Sequence, residues 1–86
     1  MKKIIILGST GSIGKKTLEI LKADRKNFKV LLLSTDKNID LLLKQIKTFK
    51  VKNVVVTNKK KNEILKKKLK NINVFSDFKD LDKKIK

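Results

Sequence analysis

Three glycines spaced three residues apart constrain this chain more than any other feature, and they lie in the stretch LGSTGSIGKKT at residues 7–17. The apolar run IIIL at residues 4–7 leads into them and is typical of a strand buried on both faces. Residues with helical spacing follow them. A glycine-rich turn between a strand and a helix binds phosphate in two fold classes, the P-loop nucleotide hydrolases and the dinucleotide-binding folds.

The P-loop motif, G-x-x-x-x-G-K-[ST], does not fit this turn. Ser9 stands where the first glycine of that motif belongs, and Lys16 replaces the hydroxyl residue that binds magnesium. We therefore favour the first turn of a dinucleotide-binding fold, although its commonest spacing is G-x-G-x-x-G and this chain has G-x-x-G-x-x-G. Gly8 then ends the strand, Gly11 leaves room for a pyrophosphate, and Gly14 lets the helix pack closely on the strand.

In a turn of this kind, the backbone amides from Thr10 to Ile13 are expected to point at the phosphates from a helix N-terminus. The hydroxyls of Thr10 and Ser12 can donate further hydrogen bonds. The simpler alternative is a strand-to-helix turn that needs glycine for backbone reasons alone.

Apolar runs and helical stripes alternate along the rest of the chain. Three more runs predict strands, at residues 30–33, 54–56 and 72–75. Four segments predict helices from residues at helical or near-helical spacing: Ile13, Thr17, Ile20 and Leu21; Ile39, Leu42, Leu43 and Ile46; Ile64, Leu65 and Leu69; and Phe78, Leu81 and Ile85. Asp36 or Asn38 is the expected cap of the second helix, and Ser76 or Asp77 that of the last.

This alternation predicts an α/β fold, a Rossmann-like parallel sheet with helices covering both sides. We expect residues 1–86 to form an incomplete dinucleotide-binding domain, because a doubly wound sheet needs a further strand after the last helix.

The end of the second strand normally selects the cofactor in such folds, where an acid binds the ribose hydroxyls of NAD and a cation accommodates the 2′-phosphate of NADP. This chain offers both, in Asp36 and Lys37, with Asn38 beside them. Asp36 lies at the spacing of an NAD-type acid, so the spacing alone leaves the choice open. Asp36 and Asn38 could also serve only to cap the next helix.

Composition excludes several classes of function. The chain has no cysteine and no histidine, which removes thiolate zinc sites, cysteine nucleophiles and the commonest general base. Its net charge of +16 is carried by lysines spread over every segment, with Arg25 the only arginine, so we expect a solvated surface instead of a nucleic-acid or membrane partner. The N-terminal apolar run is too short for a leader or a membrane span, and we expect a cytoplasmic protein.

The run ILGSTGSIGKKTLEIL, the pair Asn27-Phe28 before the second strand and the pair Lys37-Asn38 after it resemble the N-terminal region of the 1-deoxy-D-xylulose 5-phosphate reductoisomerase family. The resemblance implies an NADPH-dependent enzyme that converts 1-deoxy-D-xylulose 5-phosphate to 2-C-methyl-D-erythritol 4-phosphate in non-mevalonate isoprenoid biosynthesis. It further implies a homodimer and a divalent metal, Mg or Mn, whose ligands lie outside this chain with the other catalytic residues.

By the same resemblance, four residues of the turn contact the pyrophosphate and two contact the adenosine 2′-phosphate: Thr10, Gly11, Ser12 and Ile13, then Lys37 and Asn38. The family often has a small residue in place of Asp36, and a carboxylate there repels a 2′-phosphate unless it turns away or caps the helix. Aspartate-semialdehyde dehydrogenases and dihydrodipicolinate reductases share the glycine spacing and are the alternatives within this class. A lysine-rich module that binds polyanions is the alternative outside it.

Overall fold

The computed structural model describes residues 1–79 and 81–84, and the predicted contribution of Ile85 to the last helix lies outside them. Strands and helices alternate along the whole described chain. Their order is β1 (Lys2–Ile6), α1 (Ser12–Ala23), β2 (Phe28–Thr35), α2 (Ile39–Phe49), β3 (Asn53–Val56), α3 (Lys59–Lys68), β4 (Asn73–Phe75) and α4 (Leu81–Lys84). The predicted α/β fold is confirmed.

The four strands form one parallel sheet in the order β1-β2-β3-β4, so each strand pairs with its neighbour in sequence. The pairing of β1 with β2 changes register between Ile4, which faces Val30, and Ile5, which faces Leu32. Leu31 is the extra residue of this irregularity. It lets Val30 and Leu33 join the same core cluster although they are three residues apart.

Helices cover the two faces of the sheet unequally. The larger core cluster joins Val54 and Val56 of β3 to side chains of α1, α2 and α3, including Leu18, Leu42 and Leu65. Val55 points to the opposite face, because side chains alternate along a strand. There it lies with Leu32 in a smaller cluster that Phe75 and Leu81 pack against. Three helices therefore pack on one face, and the short helix α4 packs on the other.

The buried face of α1 differs from the predicted one. Leu18 and Leu21 are 4% and 6% exposed, whereas Ile13 and Ile20 are 84% and 72% exposed. Gly14 is buried in line with Leu18 and Leu21. The predicted stripe was therefore wrong for Ile13 and Ile20. The buried face continues at the start of α1 through a glycine, which an apolar pattern does not count.

Side-chain caps begin the second and third helices. The Asn38 carboxamide accepts a hydrogen bond from the Leu41 amide at 3.2 Å, which selects Asn38 over Asp36 as the cap of α2. The Asn58 carboxamide accepts from the Lys61 amide at 3.0 Å at the start of α3. Each cap satisfies one of the backbone donors that the first turn of a helix leaves without a partner.

The last helix begins later than the sequence predicted. The Asp77 carboxylate accepts a hydrogen bond from the Lys79 amide at 2.9 Å in the turn before α4, and α4 itself begins at Leu81. Phe78 lies in that turn and is exposed, so its predicted place on the helix was wrong.

Among the helices of the described chain, none combines the length and the apolar character that a membrane span requires.

Candidate functional site

The candidate site lies where β1, β2 and β3 end, along one edge of the sheet. Residues 8–14, called the glycine loop below, follow β1. Residues 36–38 follow β2, and Thr57 follows β3. In open parallel sheets this carboxyl edge is where ligands bind.

Two glycines of the loop are required by the protein's own backbone. Gly8 has a φ of 68°, in the left-handed region that side chains other than glycine rarely adopt. A Cβ built on Gly14 would clash with the Gly8 carbonyl oxygen and lie 2.6 Å from the Ser9 Cα. The close packing of α1 on the turn after β1, which the sequence predicted from Gly14, is present in the structure.

Gly11 differs from the other two glycines because the fold does not require it. Its φ of −79° and ψ of 174° are extended backbone that any residue adopts. A Cβ on Gly11 would meet the Gly8 carbonyl oxygen at 3.4 Å, an ordinary van der Waals contact. The absence of a side chain at this position therefore leaves open surface beside the first turn of α1.

The first turn of α1 offers backbone donors that the helix itself does not use. Gly11 is the N-cap and supplies no side chain to accept a hydrogen bond, and the turn contains no acidic residue. The first backbone donor that the helix satisfies there is the Lys15 amide, which donates to the Gly11 carbonyl at 2.9 Å. The amides of Ser12, Ile13 and Gly14 precede it and lack acceptors within the helix. Such donors, with the helix dipole behind them, suit an anion.

The side chains of the loop take different positions. The Thr10 hydroxyl lies 2.6 Å from the Thr35 hydroxyl, so it is tied to the end of β2. The Ser12 and Ile13 side chains are exposed at the start of α1. The structure thus brings Thr10, Gly11, Ser12 and Ile13 together around the uncapped helix end.

A buried polar cluster beneath the loop was not foreseen from the sequence. The Gln45 carboxamide of α2 donates to the Ser9 carbonyl at 2.8 Å and accepts from the Ser9 hydroxyl at 2.8 Å. The Ser34 hydroxyl accepts from the Gly8 amide at 2.7 Å, and the Ser34 carbonyl accepts from the Ser9 amide at 2.9 Å. These bonds hold the loop on β2 and α2. The signal was available in Gln45, which lies between Leu42 and Ile46 on the apolar face of its helix.

The three residues after β2 do not act alike. Asn38 caps α2 through its carboxamide oxygen, which leaves its NH₂ group unused by the cap. Lys37 is exposed and its carbonyl accepts from the Ile39 amide at 2.8 Å. Asp36 is not the cap of the helix, and its carboxylate accepts a hydrogen bond from the Thr57 hydroxyl at 2.6 Å.

A groove of about 620 Å³ runs along the outer edge of β1 and reaches the glycine loop. Its lining is mainly apolar and includes Ile5, Leu7, Gly11, Ile13 and Thr17.

Within residues 1–79 and 81–84, no group of three or more His, Cys, Asp or Glu side chains is placed to hold a metal ion.

A protein-family model matches nearly the whole chain. The family model of 1-deoxy-D-xylulose 5-phosphate reductoisomerase matches residues 4–85. The 1-deoxy-D-xylulose 5-phosphate reductoisomerase of Pelagibacter ubique is 53% identical over 85 residues, which are 96% of this chain and 22% of that protein. That of Thermoanaerobacter sp. is 44% identical over 87 aligned residues, which cover 100% of this chain and 23% of that protein.

Solved structures of this kind share the fold. The Zymomonas mobilis 1-deoxy-D-xylulose 5-phosphate reductoisomerase in complex with NADPH matches with a TM-score of 0.79 and 25% identity, over 86% of this chain and 20% of that one. A DOX-P reductoisomerase in complex with magnesium matches with a TM-score of 0.77 and 25% identity, over 87% of this chain and 20% of that one. The chain therefore spans about a fifth of the length of each relative.

Proposed function

The chain belongs to the 1-deoxy-D-xylulose 5-phosphate reductoisomerase family, and we propose that its described residues bind the phosphates and the adenosine of NADPH. The observation that carries this proposal is the uncapped start of α1 beside Gly11. The backbone donors there lack acceptors within the helix. The surface beside them is open because position 11 is a glycine, although the fold does not require a glycine there.

The residues present fit a dinucleotide. In this proposal, the backbone amides of Ser12 and Ile13 donate to a pyrophosphate oxygen, and the open surface at Gly11 lets the phosphate approach the backbone. Lys37 and the NH₂ group of Asn38, which the cap does not use, can meet a 2′-phosphate after β2. When bound, NADPH supplies a hydride. This segment's contribution is to hold the cofactor in position.

For the complete encoded protein we propose the reaction of the family, the rearrangement and NADPH-dependent reduction of 1-deoxy-D-xylulose 5-phosphate. We propose that the ligands of its metal lie outside the described residues. The divalent metal, the phosphorylated sugar substrate, assembly as a homodimer and a cytoplasmic location belong to the same proposal. The family assignment favours it over the dehydrogenase and reductase alternatives that share the glycine spacing.

Two measurements on the complete encoded protein test the cofactor proposal: calorimetric titration with NADPH and with NADH, and thermal melts with and without each cofactor. We expect saturable NADPH binding that stabilises the fold against heat, since a ligand that binds only the native state raises its stability. Tight binding to duplex DNA at physiological salt, without stabilisation by NADPH, would contradict the proposal and favour a polyanion-binding module.

A further inference from the structure

The hydrogen bond between Thr57 and Asp36 joins the ends of two neighbouring strands at the candidate cofactor site. Asp36 is the first residue after β2, and Thr57 is the first after β3. The Thr57 hydroxyl donates to a carboxylate oxygen of Asp36 at 2.6 Å. A short bond of this kind to an ionised acceptor is among the stronger hydrogen bonds in proteins.

Backbone contacts hold both residues in place for this bond. The Thr57 amide donates to the Thr35 carbonyl at 3.2 Å, and the Asn58 amide donates to the Asp36 carbonyl at 3.2 Å. These backbone bonds extend the pairing of β2 with β3 past the ends of both strands. The hydroxyl and the carboxylate are therefore already held side by side, and no loop has to become ordered for their hydrogen bond to form.

The order of the strands determines the side of β2 toward which this bond holds the Asp36 carboxylate. The glycine loop follows β1, and β2 lies between β1 and β3 in the sheet. A bond from the end of β3 therefore draws the Asp36 carboxylate away from the glycine loop, where the proposed pyrophosphate lies. The donated hydrogen also offsets part of the negative charge of the carboxylate.

We infer that Thr57 is a positioning residue for cofactor choice, which turns Asp36 away so that Lys37 and Asn38 can accept a 2′-phosphate. Without this bond the carboxylate is free to face the ribose, where an acid favours the hydroxyls of NADH and repels the phosphate of NADPH. This inference rests on the proposed binding of NADPH by the same site.

The test compares Thr57→Val, which removes the hydroxyl at nearly constant volume, with Thr57→Ser, which keeps it. Dissociation constants for NADPH and NADH are measured by calorimetry on the complete encoded protein. We expect Thr57→Val to weaken NADPH binding by about three- to tenfold, as for a like charge a few ångströms away near the surface. NADH binding should stay the same or tighten, and Thr57→Ser should behave as the unaltered protein does.

Two further measurements separate positioning from a purely structural role. In an Asp36→Gly background, Thr57→Val should leave the ratio of the two dissociation constants unchanged, because no carboxylate remains to be released. The loss of NADPH affinity should also shrink as salt is raised, since salt screens exposed charges. Thr57→Ala provides a second variant if Thr57→Val does not fold.

The outcomes distinguish this inference from the function on which it rests. If the unaltered protein binds NADPH and Thr57→Val weakens both cofactors equally, the bond is structural and the inference is wrong while the proposed function stands. If the unaltered protein binds neither cofactor, the proposed function fails and the inference fails with it.

Discussion

The three glycines of the loop occupy three different steric environments. Gly8 needs a positive φ, and Gly14 needs the space that a Cβ would fill beside Ser9. Gly11 needs neither, since its backbone is extended and a Cβ at this position would have its nearest neighbour 3.4 Å away. We therefore propose that the missing side chain at Gly11 serves the ligand and not the fold.

Gly11→Val should therefore separate binding from folding. We expect it to weaken NADPH binding by about tenfold or more, because the side chain occupies the surface that the pyrophosphate approaches. The thermal midpoint should fall less than in Gly14→Ala, because valine is a poorer N-cap residue than glycine but its Cβ meets no backbone clash at this position. Calorimetric titration and a thermal melt of the same preparation measure the two effects.

The matched control is Gly14→Ala, whose single added carbon meets backbone atoms of Gly8 and Ser9. We expect this smaller substitution to cost about 2 kcal/mol or more of folding free energy, because backbone cannot move aside as a flexible side chain can. If Gly11→Val keeps the affinity of the unaltered protein for NADPH, the role assigned to Gly11 is wrong.

Sequence reasoning succeeded at residues whose role is local and failed at those whose partner is distant. The roles of Gly8 and Gly14, and Asn38 as one of the two expected caps, follow from neighbours a few residues away. The bond of Gln45 to Ser9 spans 36 positions and that of Thr57 to Asp36 spans 21. No spacing rule predicts such pairs, because they depend on which helix and which strand ends the fold brings together.

Helix α1 was predicted correctly as an element, but the face that it buries is not the predicted one. The helix lies where the sequence predicted one, yet its buried face passes through Gly14, Leu18 and Leu21, and Ile20 points to solvent. The close approach of the helix to the glycine loop sets this rotation. The apolar pattern alone fitted a neighbouring stripe almost equally well.

Alanine substitutions on α1 should report this rotation. Leu18→Ala removes side-chain atoms from the larger core cluster and should lower the free energy of unfolding by about 2–5 kcal/mol. Ile20→Ala, on the exposed side, should change it by about 0.5 kcal/mol or less. Urea denaturation of both variants measures the difference, and equal losses would mean that the buried face is assigned wrongly.

Helix α2 carries the link between the core and the glycine loop. Gln45 satisfies the carbonyl and the hydroxyl of Ser9 from within an otherwise apolar face, and both residues are buried. Helix α3 uses the same device, since the Asn62 carboxamide donates to the carbonyls of Val56 and Phe75 at 3.0 Å. Buried side-chain hydrogen bonds, as well as apolar packing, therefore fix the positions of α2 and α3 on the sheet.

Replacing Gln45 should loosen the loop as well as destabilise the fold. We expect Gln45→Leu to cost about 1–3 kcal/mol, because the Ser9 carbonyl is left buried without this donor. Lys44→Leu, one position away on the exposed side of α2, is the control and should be nearly neutral. Hydrogen exchange of the loop amides, measured with urea denaturation, should show faster exchange in Gln45→Leu alone, and unchanged exchange would contradict the role of this contact.

The molecule carries far more positive than negative charge, with 24 lysine and arginine residues against 8 aspartate and glutamate residues. The chain has a radius of gyration of 12.0 Å, so this excess of like charge is confined to a small surface and repels itself. Mutual repulsion of this kind lowers the stability of a folded state.

Salt should therefore stabilise this fold. We expect the thermal midpoint to rise as sodium chloride is increased from about 10 mM to about 500 mM, because screening weakens the repulsion. Lys60→Glu, exposed in the first turn of α3 where the helix dipole favours an acid, should raise the midpoint at low salt and reduce its dependence on salt. A midpoint that falls with salt would show that favourable ion pairs outweigh the repulsion.

The sequential order of the strands has a consequence for how the chain acquires its structure during synthesis. Each strand pairs with the one made just before it, and none of the four is inserted later between two existing strands. The sheet can therefore grow from β1 as residues leave the ribosome, with each helix after α1 docking onto strand pairs already formed. The loops to be closed stay short, which favours fast assembly, and the glycine loop at the carboxyl end of β1 is among the first parts of the site that a nascent chain can form.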